Sequence, residues 1–318
     1  MQNFALCLVS LILLAPAPCA AGGAVRAAEA LTTNQPADSL SFVDLKTMKE
    51  VARIKIAGRP AGIALSPDKS KAYVTAPDGK ELLEVDTALR TITRRLALGG
   101  APLGIAAHPS RAEVYVADWF AHKVLVIDTG RLAVAAEIAV GRSPSGLAVT
   151  PDGRMLLSAD RDSDAVSIID IASRKRLASV SVGERPFGLT IDEKGRRAYT
   201  ANVKSDDVTV IDIQHQKVVG RVPTGRRPYA VALAGGRGFV TDQYGGTITV
   251  FDEGKLAPIK AITACDHPEG IEADLPGANV YAACWGDNVL VRIDPGSLAV
   301  TGRAKVDDGP RAFGKFLR

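Results

Sequence analysis

The stretch RSPSGLAVTPDGRMLLSADRDSDAVSIIDIASRKRLASVSV (residues 142–182) holds, in one unit, the pattern that decides the fold. Residues 144–149 form an apolar run that ends at the turn Pro151-Asp152-Gly153, where Pro and Gly supply the backbone angles of a tight turn. The segments 155–160, 165–170 and 176–182 are each as short, and the middle one alternates with period two. No segment of the unit has the 3.6-residue period of a helix. The unit therefore predicts four short strands.

The same unit recurs along the chain in one register, marked by three kinds of residue. The steps between successive markers are 42 residues, except for one step of 40. A Pro that precedes a small residue by two positions falls at Pro60, Pro102, Pro144, Pro186, Pro228, Pro268 and Pro310. An Asp that closes an apolar run falls at Asp44, Asp86, Asp128, Asp170, Asp212, Asp252 and Asp294. The last residue of a Tyr-Val-Thr-Asn-like tetrad falls at Asn34, Ala76, Asp118, Asp160, Asn202, Asp242 and Cys284.

A four-stranded unit repeated about every 42 residues is typical of a propeller blade. Residues 30–56 match only the second, third and fourth strands of a unit, whereas residues 310–317 match only a first strand. Together these ends complete one blade and remove open sheet edges. The sequence predicts an all-β, seven-bladed β-propeller over residues 29–318, closed by N- and C-terminal strands that share a blade.

The tetrads carry a family resemblance. YVTA (73–76), YVAD (115–118), YTAN (199–202) and YAAC (281–284) resemble the motif of the YVTN-repeat family, as do the GRSPSG, PDG and C-terminal GPRAFGKF segments. The resemblance covers nearly all of residues 29–318. It implies an exported propeller used as a binding module or accessory, in some cases beside quinone-cofactor oxidation systems. For function it is less specific than for fold.

The first 28 residues predict a cleaved signal peptide. Residues 5–15 are an 11-residue apolar run, too short to span a bilayer, and small residues follow it. We therefore expect a periplasmic or secreted protein. Cleavage would leave Cys265 and Cys284, which the hairpin turn near residues 275–277 places on neighbouring strands. We favour a disulfide between them; the alternatives are a soft-metal site that adds His267, and free or redox-active thiols.

Composition narrows the class of partner. With 47% apolar residues, 23% charged residues and a formal net charge of +4, the chain is not strongly basic. This disfavours nucleic acid as a partner. We expect a monomer with no membrane span after cleavage, and the sequence requires no cofactor.

Candidate ligand-binding residues gather where the first strand of each blade begins and the second ends. These residues flank the marker Pro or end the tetrads. We name the face of the propeller that they share, around the mouth of the channel, the mouth face. The predicted ligand-binding set is Arg59, Asp118, Trp119, Arg142, Asp160, Arg185, Asn202, Arg227, Asp242, His267 and Trp285. Convergent guanidinium groups bind carboxylate or phosphate, whereas pairing of each Arg with an acidic tetrad end would leave a ring with no ligand. The Trp side chains either anchor a partner or cover the rim of their own blades.

The sequence contains no nucleophile elbow, zinc-protease, phosphate-loop or haem-attachment motif. We therefore favour a non-catalytic periplasmic binding or accessory module, whose mouth meets a small ligand or an exported protein, including a redox enzyme. One alternative is a metal-dependent lactonase-like hydrolase that uses the mouth carboxylates. Another is a protein that binds single-stranded nucleic acid through its Arg ring.

Overall fold

A computed structural model describes Met1, residues 28–274 and residues 278–318, and shows a seven-bladed β-propeller. The predicted signal peptide lies outside the described residues, apart from its two end residues. Among the described residues the helical structure is one 3-10 turn, Arg161–Ser163. The four strands predicted in residues 142–182 are present, and only the fourth is shifted by one residue.

Each blade is an antiparallel sheet whose first strand lies nearest the axis. The N-terminal strands are β1 (Glu29–Asn34), β2 (Ser39–Asp44) and β3 (Lys49–Lys55). Blade 1 is β4 (Gly62–Leu65), β5 (Lys71–Ala76), β6 (Glu81–Asp86) and β7 (Thr91–Ala97). Blade 2 is β8 (Pro102–Ala107), β9 (Glu113–Asp118), β10 (Lys123–Asp128) and β11 (Ala133–Ala139). Blade 3 is β12 (Pro144–Val149), β13 (Met155–Asp160), β14 (Ala165–Asp170) and β15 (Lys175–Ser181).

The remaining blades repeat this order. Blade 4 is β16 (Pro186–Ile191), β17 (Arg197–Asn202), β18 (Asp207–Asp212) and β19 (Lys217–Pro223). Blade 5 is β20 (Pro228–Ala234), β21 (Arg237–Asp242), β22 (Thr247–Asp252) and β23 (Ala257–Thr263). Blade 6 is β24 (Pro268–Ala273), β25 (Val280–Cys284), β26 (Val289–Asp294) and β27 (Ala299–Lys305). The last strand, β28, is Phe313–Gly314.

Blade 7 joins the two ends of the propeller, as predicted. Antiparallel bridges link Ala30 to Leu317 and Asn34 to Pro310, so the C-terminal segment lies inside β1. The backbone of Arg318 donates a hydrogen bond to Glu29 O at 2.7 Å. One feature was not predicted: β28 also pairs in parallel with Gly62–Ile63 of blade 1. The C-terminal segment therefore crosses the inner edge of blade 1 and narrows the channel.

The small residue two positions after each marker Pro is explained by the crowding of inner strands near the axis. A Cβ on Gly104 would clash with the carbonyl oxygen of Ser145, and a Cβ on Gly146 with that of Phe187. Both glycines therefore permit neighbouring first strands to approach closely. Between blades, buried aliphatic side chains and the tetrad tyrosines form the core. No helix in the described part of the chain is long and apolar enough to cross a membrane.

The marker Asp residues close the turn between the third and fourth strands. In all seven units, one carboxylate oxygen accepts the backbone N–H three residues later, as from Leu89 to Asp86 at 2.9 Å and from Ser297 to Asp294 at 2.6 Å. Hydrogen bonds to a carboxylate favour its charged form. The Lys71 ammonium and the backbone N–H groups lower the pKa of Asp86 to about 2.

We expect these turns to make stability fall in acid. The pKa values of Asp44, Asp86, Asp170, Asp212 and Asp294 are lowered from 3.8, so their contribution is complete above about pH 4. It is lost as the pH falls through the folded-state values, near 2 for Asp86. Urea unfolding measured from pH 7 to pH 2 should show this decline. Asp86→Asn should have a shallower decline than wild type, and an unchanged slope would contradict the assignment.

Candidate functional site

The strand order assigns the loops of the propeller to two opposite faces. The structure pairs six of the seven marker Pro residues with a tetrad end, as in Pro144 with Asp160 and Pro228 with Asp242. The loops between second and third strands and the links between blades therefore share one face, the mouth face. The turns between first and second strands, and between third and fourth strands, form the opposite face.

The polar tetrad ends are buried inside their own blades. Asp160, Asn202 and Asp242 are 0% exposed, and Asp118 is 4% exposed. Burial raises the pKa of Asp160 and of Asp242. The structure therefore separates these four predicted ligand-binding residues from the surface of the mouth.

The buried tetrad ends Asp160 and Asp242 each link three segments of the chain. Asp160 accepts hydrogen bonds from the hydroxyl groups of Ser158 and Ser167 and from Gly141 N–H. Asp242 accepts the same kinds of bond from Thr247, Thr249 and Gly225 N–H. Asn202 and Asn34 donate their amides to Thr209 and Ser41. A Ser or Thr seven residues after the tetrad end is the sequence signal that indicates this arrangement.

Asp118 forms a different set of bonds, because Leu125 occupies the position seven residues later. Its Oδ1 accepts the backbone N–H groups of Ala101 and Ala121, at 3.2 and 3.1 Å. It thus connects the entry of the first strand of blade 2 to the loop that carries Trp119. Its role in the structure is to hold this loop.

We expect Asp160→Ala to destabilise the protein by about 3 kcal/mol, because it leaves two buried hydroxyl groups and an N–H without their acceptor. Asp160→Asn should remain within about 1 kcal/mol of wild type. Its neutral amide suits a buried site, and Asn occupies the equivalent position in two other blades. Urea unfolding of both variants at pH 7 checks this. An equal loss of stability in the two variants would show that the negative charge of Asp160, and not only its hydrogen bonds, stabilises the fold.

The predicted disulfide is confirmed. Cys265 and Cys284 are bonded, with their Cα atoms 6.0 Å apart. Cys265 lies three residues before its marker Pro, where Gly141 and Gly225 precede theirs. In blade 6 a covalent bond therefore replaces the hydrogen bond that links this position to the tetrad end in blades 3 and 5. With both sulfur atoms in the disulfide, the alternative metal site of Cys265, His267 and Cys284 lacks its thiolates.

The residues before the marker Pro are fixed by contacts between blades. Arg59, Arg185 and Arg227 have positive φ angles of 58°, 57° and 55°. Their backbone N–H groups donate at 2.7 Å to Asp38, Asp164 and Asp206, each in a hairpin turn of the preceding blade. These bonds hold the loops of the mouth in place, so that their side chains project from a rigid support.

The Arg side chains are not neutralised by the tetrad ends. Arg142 donates to the carbonyl oxygen of Asp162, and Arg59 reaches only Asp78, at 3.8 Å. Within residues 28–274 and 278–318, no carboxylate lies within 4.0 Å of the guanidinium groups of Arg142, Arg185, Arg226 or Arg227. Within these two ranges the guanidinium groups therefore form no close ion pairs, and Arg185 interacts with the Asp162 carboxylate over a longer distance.

Four side chains from blades 5 and 6 form a row on the mouth face, which we name the aromatic row. The Arg227 guanidinium lies 4.2 Å from the centre of the Tyr244 ring. Tyr244 meets His267 edge-on at 5.4 Å, and His267 meets Trp285 at 6.1 Å. Tyr244 is 48% exposed and Trp285 39% exposed, so the row faces solvent. The structure thus brings together three of the predicted residues and adds Tyr244.

A second aromatic group closes the channel beneath the mouth. Phe187 lies 4.7 Å from Tyr229 and 4.9 Å from Phe313, measured between ring centres. We name these three rings the plug. Trp119 borders the plug, with its ring centre 6.4 Å from that of Phe187, and the Arg161 guanidinium lies 5.4 Å from the Trp119 ring. These rings therefore form one packed cluster across blades 4 and 5 and the C-terminal segment.

A charged network adjoins the plug. Glu269 is 2% exposed and accepts hydrogen bonds from Arg311 at 2.7 Å and from Gln243 at 2.6 Å. The Arg311 guanidinium also lies 5.8 Å from the Tyr229 ring. Burial raises the pKa of the Tyr229 hydroxyl. Phe187, Tyr229, Glu269 and Arg311 all directly follow a marker Pro, and this shared position is the signal that could have identified them.

Metal-binding groups do not converge in the parts of the chain that the structure describes. Across those residues, no three His, Cys, Asp or Glu side chains are close enough to form a metal site. The carboxylates of Asp118, Asp160 and Asp242 are separated because each belongs to the interior of its own blade.

Comparisons with known proteins agree with the fold. The family model described as lactonase, 7-bladed beta-propeller, matches residues 123–226, about a third of the chain. None of the curated proteins matches the chain. Kuenenia stuttgartiensis hydrazine synthase is similar at 21% identity and a TM-score of 0.74, over 83% of this chain and 91% of that one.

Two further solved structures share the fold. A protein of unknown function from Desulfotomaculum acetoxidans has 16% identity and a TM-score of 0.76, over 89% of this chain and 99% of its own. The dihydro-heme d1 dehydrogenase NirN also has 16% identity, with a TM-score of 0.69, over 91% of this chain and 74% of its own. At these identities the similarity establishes a common β-propeller fold.

Proposed function

We propose that this chain is a non-catalytic binding module that acts after export and contacts a protein partner through its mouth face. The aromatic row of Arg227, Tyr244, His267 and Trp285 carries the proposal. Its rings are partly exposed, packed edge to face, and supported by loops that are hydrogen-bonded from blade to blade. Rigid aromatic and Arg side chains of this kind contribute most of the binding energy in protein interfaces.

The shape of the mouth favours a protein surface over a small molecule. The rings of Phe187, Tyr229 and Phe313 pack together below the mouth face and so reduce the room for a small molecule there. Arg142, Arg185 and Arg226 lie on the same face, and among the described residues their guanidinium groups form no ion pair within 4.0 Å. They would attract an acidic patch on the partner and speed its association.

Features of the sequence and of the fold support export and the class of partner. The first 28 residues have the features of a signal peptide, and the Cys265–Cys284 disulfide is of a kind that persists in oxidising compartments. The tetrads support membership of the YVTN-repeat family. Structural similarity to hydrazine synthase and to a dihydro-heme d1 dehydrogenase supports a redox enzyme as the partner.

Native mass spectrometry of the protein purified from its own exported fraction tests the proposal. Wild type should carry a stoichiometric protein partner, and Tyr244→Ala/Trp285→Ala should lose it. The matched control is Leu89→Ala/Leu177→Ala, which removes two exposed apolar side chains away from the mouth. The control should retain the partner. Retention by the mouth variant, or a wild-type protein that carries no partner, would contradict the proposal.

Lactone hydrolysis is a second candidate, because the lactonase model matches residues 123–226. It requires an open site with reactive carboxylates, whereas Asp160 and Asp242 are buried and hydrogen-bonded within their blades. Hydrolysis of δ-valerolactone with and without added Mg²⁺ or Ca²⁺ separates the two functions. Multiple turnovers per molecule would replace the binding proposal with an enzyme, and a rate equal to the buffer blank would remove this candidate.

A further inference from the structure

The channel is open on the face opposite the mouth. There it forms a cavity of about 330 Å³ that reaches inward as far as Phe313 of the plug. The inner strands of blades 2 to 6 and the C-terminal segment form its wall. Partly exposed apolar residues of this wall include Val149, Leu189, Ile191 and Leu233. A cavity of this size and lining is typical of a site for a small ligand.

Charged residues at the end of this cavity are mostly acidic. Asp192, Glu193, Glu272 and Asp274 line it, against one ammonium group, that of Lys315. Asp192 and Glu272 are 9% and 8% exposed. Lys315 lies 3.6 Å from Glu272. Lys315 and Lys69 both offset the charge of Glu272, so the acidic character of the rim rests on Asp192, Glu193 and Asp274. The cavity thus combines an apolar interior with an acidic rim.

Part of this rim is fixed by the closure of the propeller. Glu272 accepts the backbone N–H groups of Phe316 and Leu317, which anchors the C-terminal segment to blade 6. Asp192 accepts the N–H of Arg196 at 2.7 Å, and Asp274 that of Asn279 at 2.9 Å. These bonds hold the carboxylates in place, and burial raises the pKa of Glu272. The rim is therefore preorganised for a positive charge.

We propose that this open channel binds an amphiphilic cation, with its apolar body against the channel wall and its ammonium group at the acidic rim. Removing the apolar body from water favours entry, and the head group stays at the open end, where its desolvation is incomplete. The volume suits about ten non-hydrogen atoms, if each takes roughly the 30 Å³ of a water molecule. An anionic ligand of the same chain length would be repelled by the same carboxylates.

Calorimetric titration with octyltrimethylammonium, octanoate and octanol, each below its micelle concentration, tests the proposal. These probes share a chain length and differ in charge. We expect the cation to bind about tenfold more tightly than octanoate, and added salt to reduce this preference. Equal affinities for the three probes, or no binding of the cation at millimolar concentration, would overturn the proposal.

Variants locate the site and separate it from the mouth. Asp192→Asn/Asp274→Asn should weaken binding of the cation about tenfold, and Lys315→Gln should strengthen it. Ala107→Phe and Ala273→Phe each place a large side chain at the cavity, from two different blades. Whichever of these variants folds should no longer bind the cation. Tyr244→Ala/Trp285→Ala should bind the cation as wild type does. Unchanged binding in the rim and filling variants would place the ligand elsewhere.

Discussion

Removal of residues 310–318 is expected to abolish cooperative folding. This segment supplies the inner strand of blade 7, and without it β1 becomes an open edge. Phe313, Phe316 and Leu317 are at most 7% exposed, and burial of each contributes about 2 kcal/mol. Their combined loss is comparable to the whole stability of a typical domain. Circular dichroism melting and size-exclusion chromatography should show a broad transition and aggregation.

A circular permutant is the matched control for this truncation. Glu29 and Arg318 exchange backbone hydrogen bonds, so a short Gly-Ser linker can join residue 318 to residue 28. New ends between Gly130 and Arg131 fall in an exposed turn of blade 2. The permutant retains all strands and should melt cooperatively. A truncated protein that melts like wild type would show that closure by the C-terminal segment is unnecessary.

Arg311→Met is expected to destabilise the protein by about 3 kcal/mol. It leaves the carboxylate of Glu269, which is 2% exposed, with Gln243 as its remaining side-chain partner. An uncompensated buried charge is costly, and this cost usually exceeds the net value of the pair itself. Urea unfolding at pH 7 measures the loss.

The double variant Glu269→Gln/Arg311→Met separates charge burial from packing. It removes both charges and should recover all but about 1 kcal/mol of the lost stability, because no isolated charge remains. A double variant as unstable as Arg311→Met would assign the loss to packing against Tyr229.

The fold was predictable because the repeat encodes it locally. Turn residues, alternating strands and the marker spacing fixed all four strands of residues 142–182, to within one residue. The register of the Cys265–Cys284 hairpin was equally accessible, since a count from its turn places the two thiols side by side. The pairing of Phe313–Gly314 with blade 1 was not, because the repeat contains no analogue of a segment that leaves its own blade.

The site was less predictable, because the repeat indicates on which face of the propeller a residue lies but not how deeply its side chain is buried. The sequence placed Asp160 and Trp285 on the same face, and the structure agrees, but Asp160 is buried and Trp285 is exposed. Depth depends on partners such as Ser167, which lies on the next strand. The closure of the channel depends on three aromatic rings from three blades, and their contact follows from the ring geometry of the whole propeller.

Site-specific photocrosslinking in the producing cells tests the proposed function of the mouth face most directly. A benzophenone side chain would replace Phe120 in the mouth loop of blade 2 or Leu89 on the opposite face. Both residues are 73% exposed, so the two sites differ in face and not in accessibility. If the mouth face binds a protein partner, we expect one discrete crosslinked protein from position 120 and none from position 89. Equal crosslinking at both positions, or none at position 120, would contradict it.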